Sequence, residues 1–371
     1  VSEDTRKTGV GIIGCGNISN VYAAKLSALP FVDLVACADL LPNRAQDLAA
    51  KHGISKVLEP DALIADDAVE VVVNLTIPAA HYALSRQIVE ARKSVFCEKP
   101  LALTLEEGLA LGRAAAQQGV RVGCAPDTFL GAGLQTCRKL IDDGAIGEPV
   151  AANGFMLSPG PERWHPGPAI FYQRGAGPLF DMGPYYLTAL VHLLGPVRRL
   201  TGSARITHAQ REIGSEPLRG QRLDVEVPTH VSAVLDFESG PVASLTTSFD
   251  VQTTRLRNIE IHGSEGTLSV PDPNTFGGPV TLRKRGEQAW REMPLTHANA
   301  EQSRGIGLAD MIRAIQQKRG HRASLELSSH VLELMESIVT ASDTGRHATP
   351  RTTCARPAPL APGLADDCFE A

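Results

Sequence analysis

A chain of 371 residues is too long for one typical hydrophobic core, so two domains are expected. Its 43% hydrophobic and 21% charged content is that of an ordinary globular protein, and 36 Lys plus Arg against 41 Asp plus Glu leaves a net charge of -5. That balance argues against nucleic acid and against a polybasic membrane patch, and leaves small molecules as the expected partners.

Val1 to Thr8 is charged and lacks a signal-peptide core, and no apolar stretch approaches the roughly 18 residues of a membrane span. The cytoplasm is the expected compartment, although Val1 in place of Met leaves room for a removed leader. Val10 to Ile13 is a short β-rich run, followed at once by Gly14-Cys15-Gly16-Asn17-Ile18-Ser19 and a helical pattern to about Ala28. Strand, glycine-rich turn and helix in that order form the dinucleotide-binding fingerprint. Gly14 allows the tight turn, Gly16 lets the backbone approach a pyrophosphate, and the helix start at Asn17 and Ile18 offers free amides. Ser19 stands where a third glycine is usual and is small enough to keep the helix close.

Asp33 to Ala38 reads as the next strand and leads into Asp39, at the spacing of a ribose-binding acid. A carboxylate there accepts from a 2′-hydroxyl and repels a 2′-phosphate, which favours NAD over NADP. Arg44 keeps NADP open, because it could reach a phosphate or simply lie solvated on the following helix. Val69 to Asn74 reads as a strand buried on both faces, broken by Thr76-Ile77-Pro78. A helix follows, with Leu84, Ile88 and Ala91 on one face.

Val95 to Glu98 is a further buried strand that ends in Glu98-Lys99-Pro100. Open α/β sheets bind ligands outside the carboxyl ends of their strands, and Pro100 makes a rigid corner that aims Lys99 there. The competing reading is a solvated Glu-Lys pair. Thr104 and Glu107 form a capping box for a helix to Gln117, and Val120 to Cys124 is one more strand. Repeated strand-helix order means a doubly wound parallel sheet, of Rossmann type, over residues 7–125. Thr76 to His81 and Glu98 to Pro100 share an edge with the glycine turn. Thr76, Pro78, His81, Glu98 and Lys99 therefore join the cofactor-binding candidates, and Lys99 is also a catalytic one.

These residues together resemble the Gfo/Idh/MocA oxidoreductases: the GCGNIS turn, Asp39, the segment from Thr76 to His81, and Glu98-Lys99-Pro100. Residues 126–348 change in style. A helix carrying Leu134, Cys137 and Ile141 precedes strand signals at Val150 to Leu157, Arg198 to Ala209, Thr229 to Phe237, Val242 to Phe249, Asn258 to His262, Thr267 to Val270 and Val280 to Arg285. Two helical stripes, around Leu308 to Ile315 and Val331 to Val339, close this part. The resemblance extends here through Gly175 to Gly183 and Ile261 to Leu268, reaching about residue 350. It implies an α+β domain with an open, mostly antiparallel sheet that binds substrate and carries a homodimer or homotetramer interface. The proline-rich stretch 349–371 reads as a weakly ordered tail.

Members of that family commonly have an aspartate followed four residues later by a histidine, whereas here Asp181 is followed at that distance by Tyr185. A tyrosine carries the proton only if its pKa falls, and the Lys99 ammonium plus the positive nicotinamide of NAD would push it down. Asp181 is placed just ahead of a helix starting at Pro184. Trp164, His165 and Tyr172 form an aromatic and polar loop before the glycines and are substrate candidates, His165 being the alternative proton carrier. The resemblance implies an NAD-dependent oxidoreductase acting on a secondary alcohol of a sugar, cyclitol or related polyol. A glycosidase using NAD for redox-assisted elimination, a dihydrodiol dehydrogenase and a non-catalytic cofactor-bound sensor are the alternatives. The seven cysteines, including Cys368, are scattered without a CxxC pair, and the eleven histidines show no HExxH. Neither disulfides nor a metal are expected.

Overall fold

The computed structural model describes residues 6–365 and Phe369. The first part alternates β1 (Thr8–Ile13), α1 (Ser19–Ser27), β2 (Val32–Ala38), α2 (Pro42–His52), β3 (Lys56–Val57), α3 (Pro60–Ala65), β4 (Val71–Asn74), α4 (Pro78–Glu90), β5 (Ser94–Cys97), α5 (Leu105–Gln118) and β6 (Val122–Cys124). The six strands are parallel in the order β3-β2-β1-β4-β5-β6. Strand order reverses between β1 and β4, so the loops leaving these two strands splay apart and open a crevice at their carboxyl ends. β4 and β5 are buried throughout, which is why they read as unbroken apolar runs. The short β3 and α3 left no signal in the sequence reading, being too brief for a period to show.

The second part comprises α6 (Ala132–Asp142), β7 (Pro149–Leu157), α7 (Gly177–Leu194), β8 (Val197–Arg205), β9 (Gln210–Glu212), β10 (Arg222–Asp224), β11 (His230–Phe237), β12 (Val242–Ser248), β13 (Ile259–Gly263), β14 (Gly266–Val270), β15 (Val280–Lys284), β16 (Arg291–Met293), α8 (Ile306–Gln316) and α9 (Leu325–Thr344). Eight strands form an open sheet in the order β16-β15-β14-β13-β7-β12-β11-β8, antiparallel except where β7 meets β12. In β11, Val231, Ala233, Leu235 and Phe237 face the core and alternate with more exposed residues, as expected of a half-covered sheet.

Three expectations are corrected. The strand expected over Arg198 to Ala209 stops at Arg205, and a separate β9–β10 hairpin follows. That hairpin surrounds a small second core of Tyr172, Ile213, Leu223, Val225 and Phe249. The helix expected from Pro184 begins instead at Gly177, so Pro184 lies inside α7 and Asp181 is one turn before Tyr185 on the same face. The proline-rich end forms no helix or strand over its described residues, yet it is packed rather than loose. Arg138 donates to Pro357 O, Arg322 to Ala358 O and Pro359 O, and Leu360 N to Gln135 Oε1. Phe369 is 2% exposed and meets Phe31 edge-on. Cys368 lies outside the described residues. No helix among the described residues is long and apolar enough to cross a membrane.

Candidate active site

The glycine turn is built from close approach. Gly14 has φ +98°, and a Cβ there would lie 2.6 Å from the Leu75 backbone, so only glycine fits between β1 and the loop after β4. At Gly16 a Cβ would meet nothing within 4 Å, leaving open space above the turn where a pyrophosphate can approach. Ser19 is fully buried and donates its hydroxyl to Gly16 O at 2.6 Å, so it closes the turn onto α1 in the role of the third glycine. Asn17 is exposed and Ile18 half-buried at the entrance to α1.

Asp39 leaves the end of β2 with its carboxylate turned back to the turn: Oδ2 accepts from Cys15 N at 2.7 Å and Oδ1 from Leu41 N at 2.8 Å. Two anchored oxygens still hold free lone pairs for a ribose diol. Leu40 and Ile77 are 86% and 70% exposed at the same edge, apolar surfaces of the kind that flank a base, and the sequence reading passed over both. Arg44 is exposed at the start of α2. These residues fit a dinucleotide: a backbone turn with empty space before it, free helix amides and a fixed acid.

Beyond β4, Asn74 organises the next loop. Fully buried, it donates to His81 O and Ser85 Oγ and accepts from the Thr76 hydroxyl at 2.6 Å. Pro78 occupies the first turn of α4, where its missing donor is harmless. His81 is corrected from cofactor ligand to brace. It is 1% exposed, and its Nδ1 and Nε2 lie 2.7 Å from Pro100 O and 3.0 Å from Thr76 O. Burial pushes its pKa down while the two carbonyls favour a proton on the ring, which spans the two loops.

Glu98 is fixed on three sides. Its amide donates to Asn74 O, its Oε1 accepts from the Tyr22 hydroxyl at 2.8 Å, and its Oε2 accepts from Lys99 N at 3.0 Å. The Lys99–Pro100 bond is cis and ends the run at the sheet edge. Lys99 Nζ then reaches α7, donating to Asp181 Oδ1 at 2.8 Å and to Asp181 O at 2.7 Å, and it lies 5.3 Å from the Tyr185 ring centroid. Pro184 cannot donate to Phe180 O, so the helix ladder is weakened beside the carbonyl that Lys99 takes. Burial opposes the charged lysine, but Asp181, Tyr185 and Glu98 together outweigh it and raise the pKa, so Lys99 is an ammonium.

At Tyr185 burial opposes the lowering that Lys99 supplies. It is 7% exposed, and burial raises its pKa more than Lys99 and Arg304 lower it, leaving a neutral phenol. Arg304, absent from the sequence candidates, is a second cation whose charge lowers the Tyr185 pKa. Asp127 caps α8 by accepting from Gly305 N at 2.8 Å and Gly307 N at 3.0 Å, and burial pushes its pKa up to about 6.

The loop before α7 separates its candidates. Tyr172 is fully buried in the small core and donates its hydroxyl to Glu162, so it is corrected from substrate ligand to anchor. Arg211 ties the same Glu162 to Asp250 at 2.7 Å and 2.5 Å. Trp164 remains 68% exposed, stacked edge-on against His165, which packs in turn on Phe171. A cavity of about 660 Å³ beside Arg6, Glu70, Lys93 and Gln316 borders the amino ends of β1, β4 and β5, away from this chemistry.

Comparison with known proteins agrees with this geometry. Residues 8–125 match a family model described as the oxidoreductase family with an NAD-binding Rossmann fold, and residues 134–269 match the GFO/IDH/MocA C-terminal domain. Inositol 2-dehydrogenase of Rhizobium meliloti is 28% identical over 288 residues, 77% of this chain and 81% of that one. The scyllo-inositol 2-dehydrogenase (NAD(+)) of Bacillus subtilis is 26% identical over 262 residues, 70% and 72% of the two chains. Levoglucosan dehydrogenase in its apo form shares the fold with a TM-score of 0.81 at 20% identity, covering 94% of this chain and 100% of that one. The chain belongs to the Gfo/Idh/MocA oxidoreductases, and its parallel sheet is their NAD-binding domain.

Proposed function

We propose that the protein is an NAD-dependent dehydrogenase that oxidises, or in reverse forms, a secondary alcohol of a sugar, cyclitol or related polyol. The observation that carries this reading is the Lys99 ammonium held between Asp181 and Tyr185 at the carboxyl edge of an NAD-binding sheet. Residues 7–125 would bind the cofactor through Gly14, Gly16, Asn17, Ile18, Asp39, Thr76 and Pro78, and residues 126–348 the substrate. NAD, when bound, supplies the hydride acceptor.

The reacting oxygen would lie between Lys99 Nζ and the Tyr185 hydroxyl. Lys99, already protonated, does not take the proton. It stabilises negative charge on the oxygen and so lowers the hydroxyl pKa. Tyr185 carries the proton: as a phenol it donates in reduction, and as a phenolate it accepts in oxidation. Asp181 keeps Lys99 charged and aimed. Trp164 offers an exposed aromatic face to an apolar ring surface, and His165 steadies it. Inositol and levoglucosan, named for the relatives, are cyclic polyols that suit this arrangement.

A dimer or tetramer would pair through the outer face of the large sheet. That face exposes Val234 and Val242, and carries a run of bonded side chains through Ser244, Asn153, His262 and Thr267. The six free, buried cysteines among the described residues suit a cytoplasmic enzyme.

The test is nicotinamide absorbance after mixing the protein with NAD, then NADP, against sugars, inositols, glycosides and a dihydrodiol. Net NADH with one polyol class supports the reading. Glycoside cleavage without net NADH would replace it with the redox-assisted glycosidase, and NAD binding without any turnover would replace it with a sensor.

A further inference from the structure

The loop that carries Trp164 begins and ends beside the Lys99–Asp181 pair. Near its start, Phe155 O at the end of β7 accepts from the hydroxyl of Tyr186, the neighbour of Tyr185 on α7, at 3.2 Å. At its end, Gly175 is packed so closely that a Cβ there would lie 2.8 Å from Leu103 Cδ2, four residues after Lys99 in the chain. The loop then enters α7 one turn before Asp181. Trp164, exposed in the middle of this span, depends for its position on what holds the loop there.

That hold is a buried ion cluster supplied by the β9–β10 hairpin. Arg211, in the middle of β9, donates to Glu162 Oε1 through Nε at 2.9 Å and Nη2 at 2.7 Å, and to Asp250 Oδ1 through Nη1. Nη2 also lies 2.9 Å from Pro159 O and from Phe249 O, so one guanidinium ties the loop leaving β7 to the loop leaving β12. The Arg211, Glu162 and Asp250 side chains are 9%, 6% and 10% exposed. Tyr172 donates its hydroxyl to the other oxygen of Glu162, and its ring centroid lies 5.4 Å from the guanidinium carbon. Glu162 belongs to the short helical turn Pro161–Arg163 that precedes Trp164. Gly214 N donates to Glu162 O at 2.9 Å and Ser215 Oγ to His165 O at 2.5 Å, so the hairpin grips the chain on both sides of Trp164. Two buried carboxylates share this one cation, and a planar fork meets them in fixed directions where a lysine would meet them as a point charge.

We propose that Arg211 is a positioning residue for substrate: through Glu162 it holds the turn that carries Trp164, and so sets how firmly the indole face meets a bound polyol ring. The inference rests on the function proposed above, and it assigns the hairpin to substrate affinity rather than to the hydride step.

The experiment is a double-mutant cycle of Arg211→Met and Trp164→Ala, read as KM and kcat for polyol oxidation at saturating NAD. Each single variant should raise KM about tenfold with kcat within about twofold, because the lost contact serves ground state and transition state alike. The double variant should be little worse than either, since the indole can be misplaced only once. Arg211→Lys should recover part of the loss. Tyr172→Phe keeps the packed ring and removes only the hydroxyl held by Glu162; it should raise KM about threefold, and it stands in should Arg211→Met fail to fold. Additive KM effects, or a loss confined to kcat, overturn the proposal. A second readout needs no turnover. With Trp290→Phe as background, Trp164 is the sole tryptophan, and its fluorescence anisotropy should fall when Arg211→Met frees the turn. A merely structural Arg211 would lower thermal stability with anisotropy and KM unmoved, and that result also overturns the proposal. Absence of turnover with every polyol refutes the function proposed above, while the anisotropy still decides whether Arg211 holds Trp164.

Discussion

Lys99 and Asp181 meet twice: the ammonium donates to the carboxylate at 2.8 Å and to the carbonyl of the same residue at 2.7 Å, with side chains 17% and 24% exposed. Burial disfavours the charged lysine, and Asp181, Tyr185 and Glu98 together reverse that preference, so the folded pKa lies above the ordinary 10.5. The resulting stabilisation is fully present below the unfolded value and lost only as pH rises through the folded one, outside any working range. In Asp181→Asn the support of the carboxylate is gone, so Lys99 should lose its proton at a lower pH than in the wild type. The expected outcome is faster acylation of Lys99 by an amine reagent, read by peptide mass spectrometry, with turnover down about 10²-fold or more. Lys99→Met should largely abolish turnover while NAD still binds, and retained turnover would remove Lys99 from the mechanism.

Tyr185 must be a phenolate to accept a proton, and burial keeps it a phenol. Alcohol oxidation by the wild type should therefore keep rising into the alkaline range. Tyr185→His replaces the carrier by a ring with an ordinary pKa of about 6.5, which two neighbouring cations push further down. Its pH profile should level off near or below neutrality, and Tyr185→Phe should lose about 10²-fold or more in kcat. Coincident profiles for wild type and Tyr185→His would show that the proton travels elsewhere, His165 being the first residue to test.

The first sheet was legible because strands buried on both faces leave unbroken apolar runs, and the chemistry collects where those runs stop, at Gly14, Asp39 and Lys99. Position alone did not reveal direction. His81 and Tyr172 lie in suitable segments, but their polar atoms turn inward to Pro100 O, Thr76 O and Glu162. Arg304 was hidden because it belongs to a polar stretch without a period, and its charge bears on Tyr185 only through long-range folding. The proline-rich end misled for a physical reason: prolines lack amide donors but keep their carbonyls, so a chain without helix or strand can be laced down by Arg138 and Arg322. Helix α7 began early because Pro184 reads as a helix start, whereas packing carries the helix through it.

Asp39 braces the glycine turn through Cys15 N, and under the proposed function the same carboxylate would meet the ribose. Asp39→Ser removes the charge that repels a 2′-phosphate. The NAD-to-NADP ratio of kcat/KM should fall by about 10–100-fold, mostly through KM, and the loss of a charge-assisted bond to Cys15 N should cost about 1.5–3 kcal/mol of stability. Arg44, exposed and close in sequence, would then favour NADP. An unchanged ratio measured with both cofactors would assign the choice to other residues.

Asp127 is 1% exposed and accepts two amides from the start of α8, yet burial lifts its pKa from 3.8 to about 6. A carboxyl whose folded pKa exceeds its unfolded value binds its proton more tightly when folded. Its contribution is therefore most favourable below about pH 4 and declines as pH rises to about 6, by on the order of 3 kcal/mol over that window. Asn cannot ionise and still offers one carbonyl oxygen to the Gly305 and Gly307 amides. Urea midpoints measured from pH 4 to 7 should therefore fall more steeply for the wild type than for Asp127→Asn, and the difference between them should grow across that window. Parallel curves would mean that the amides of α8 hold Asp127 ionised throughout, and that the helix end outweighs burial.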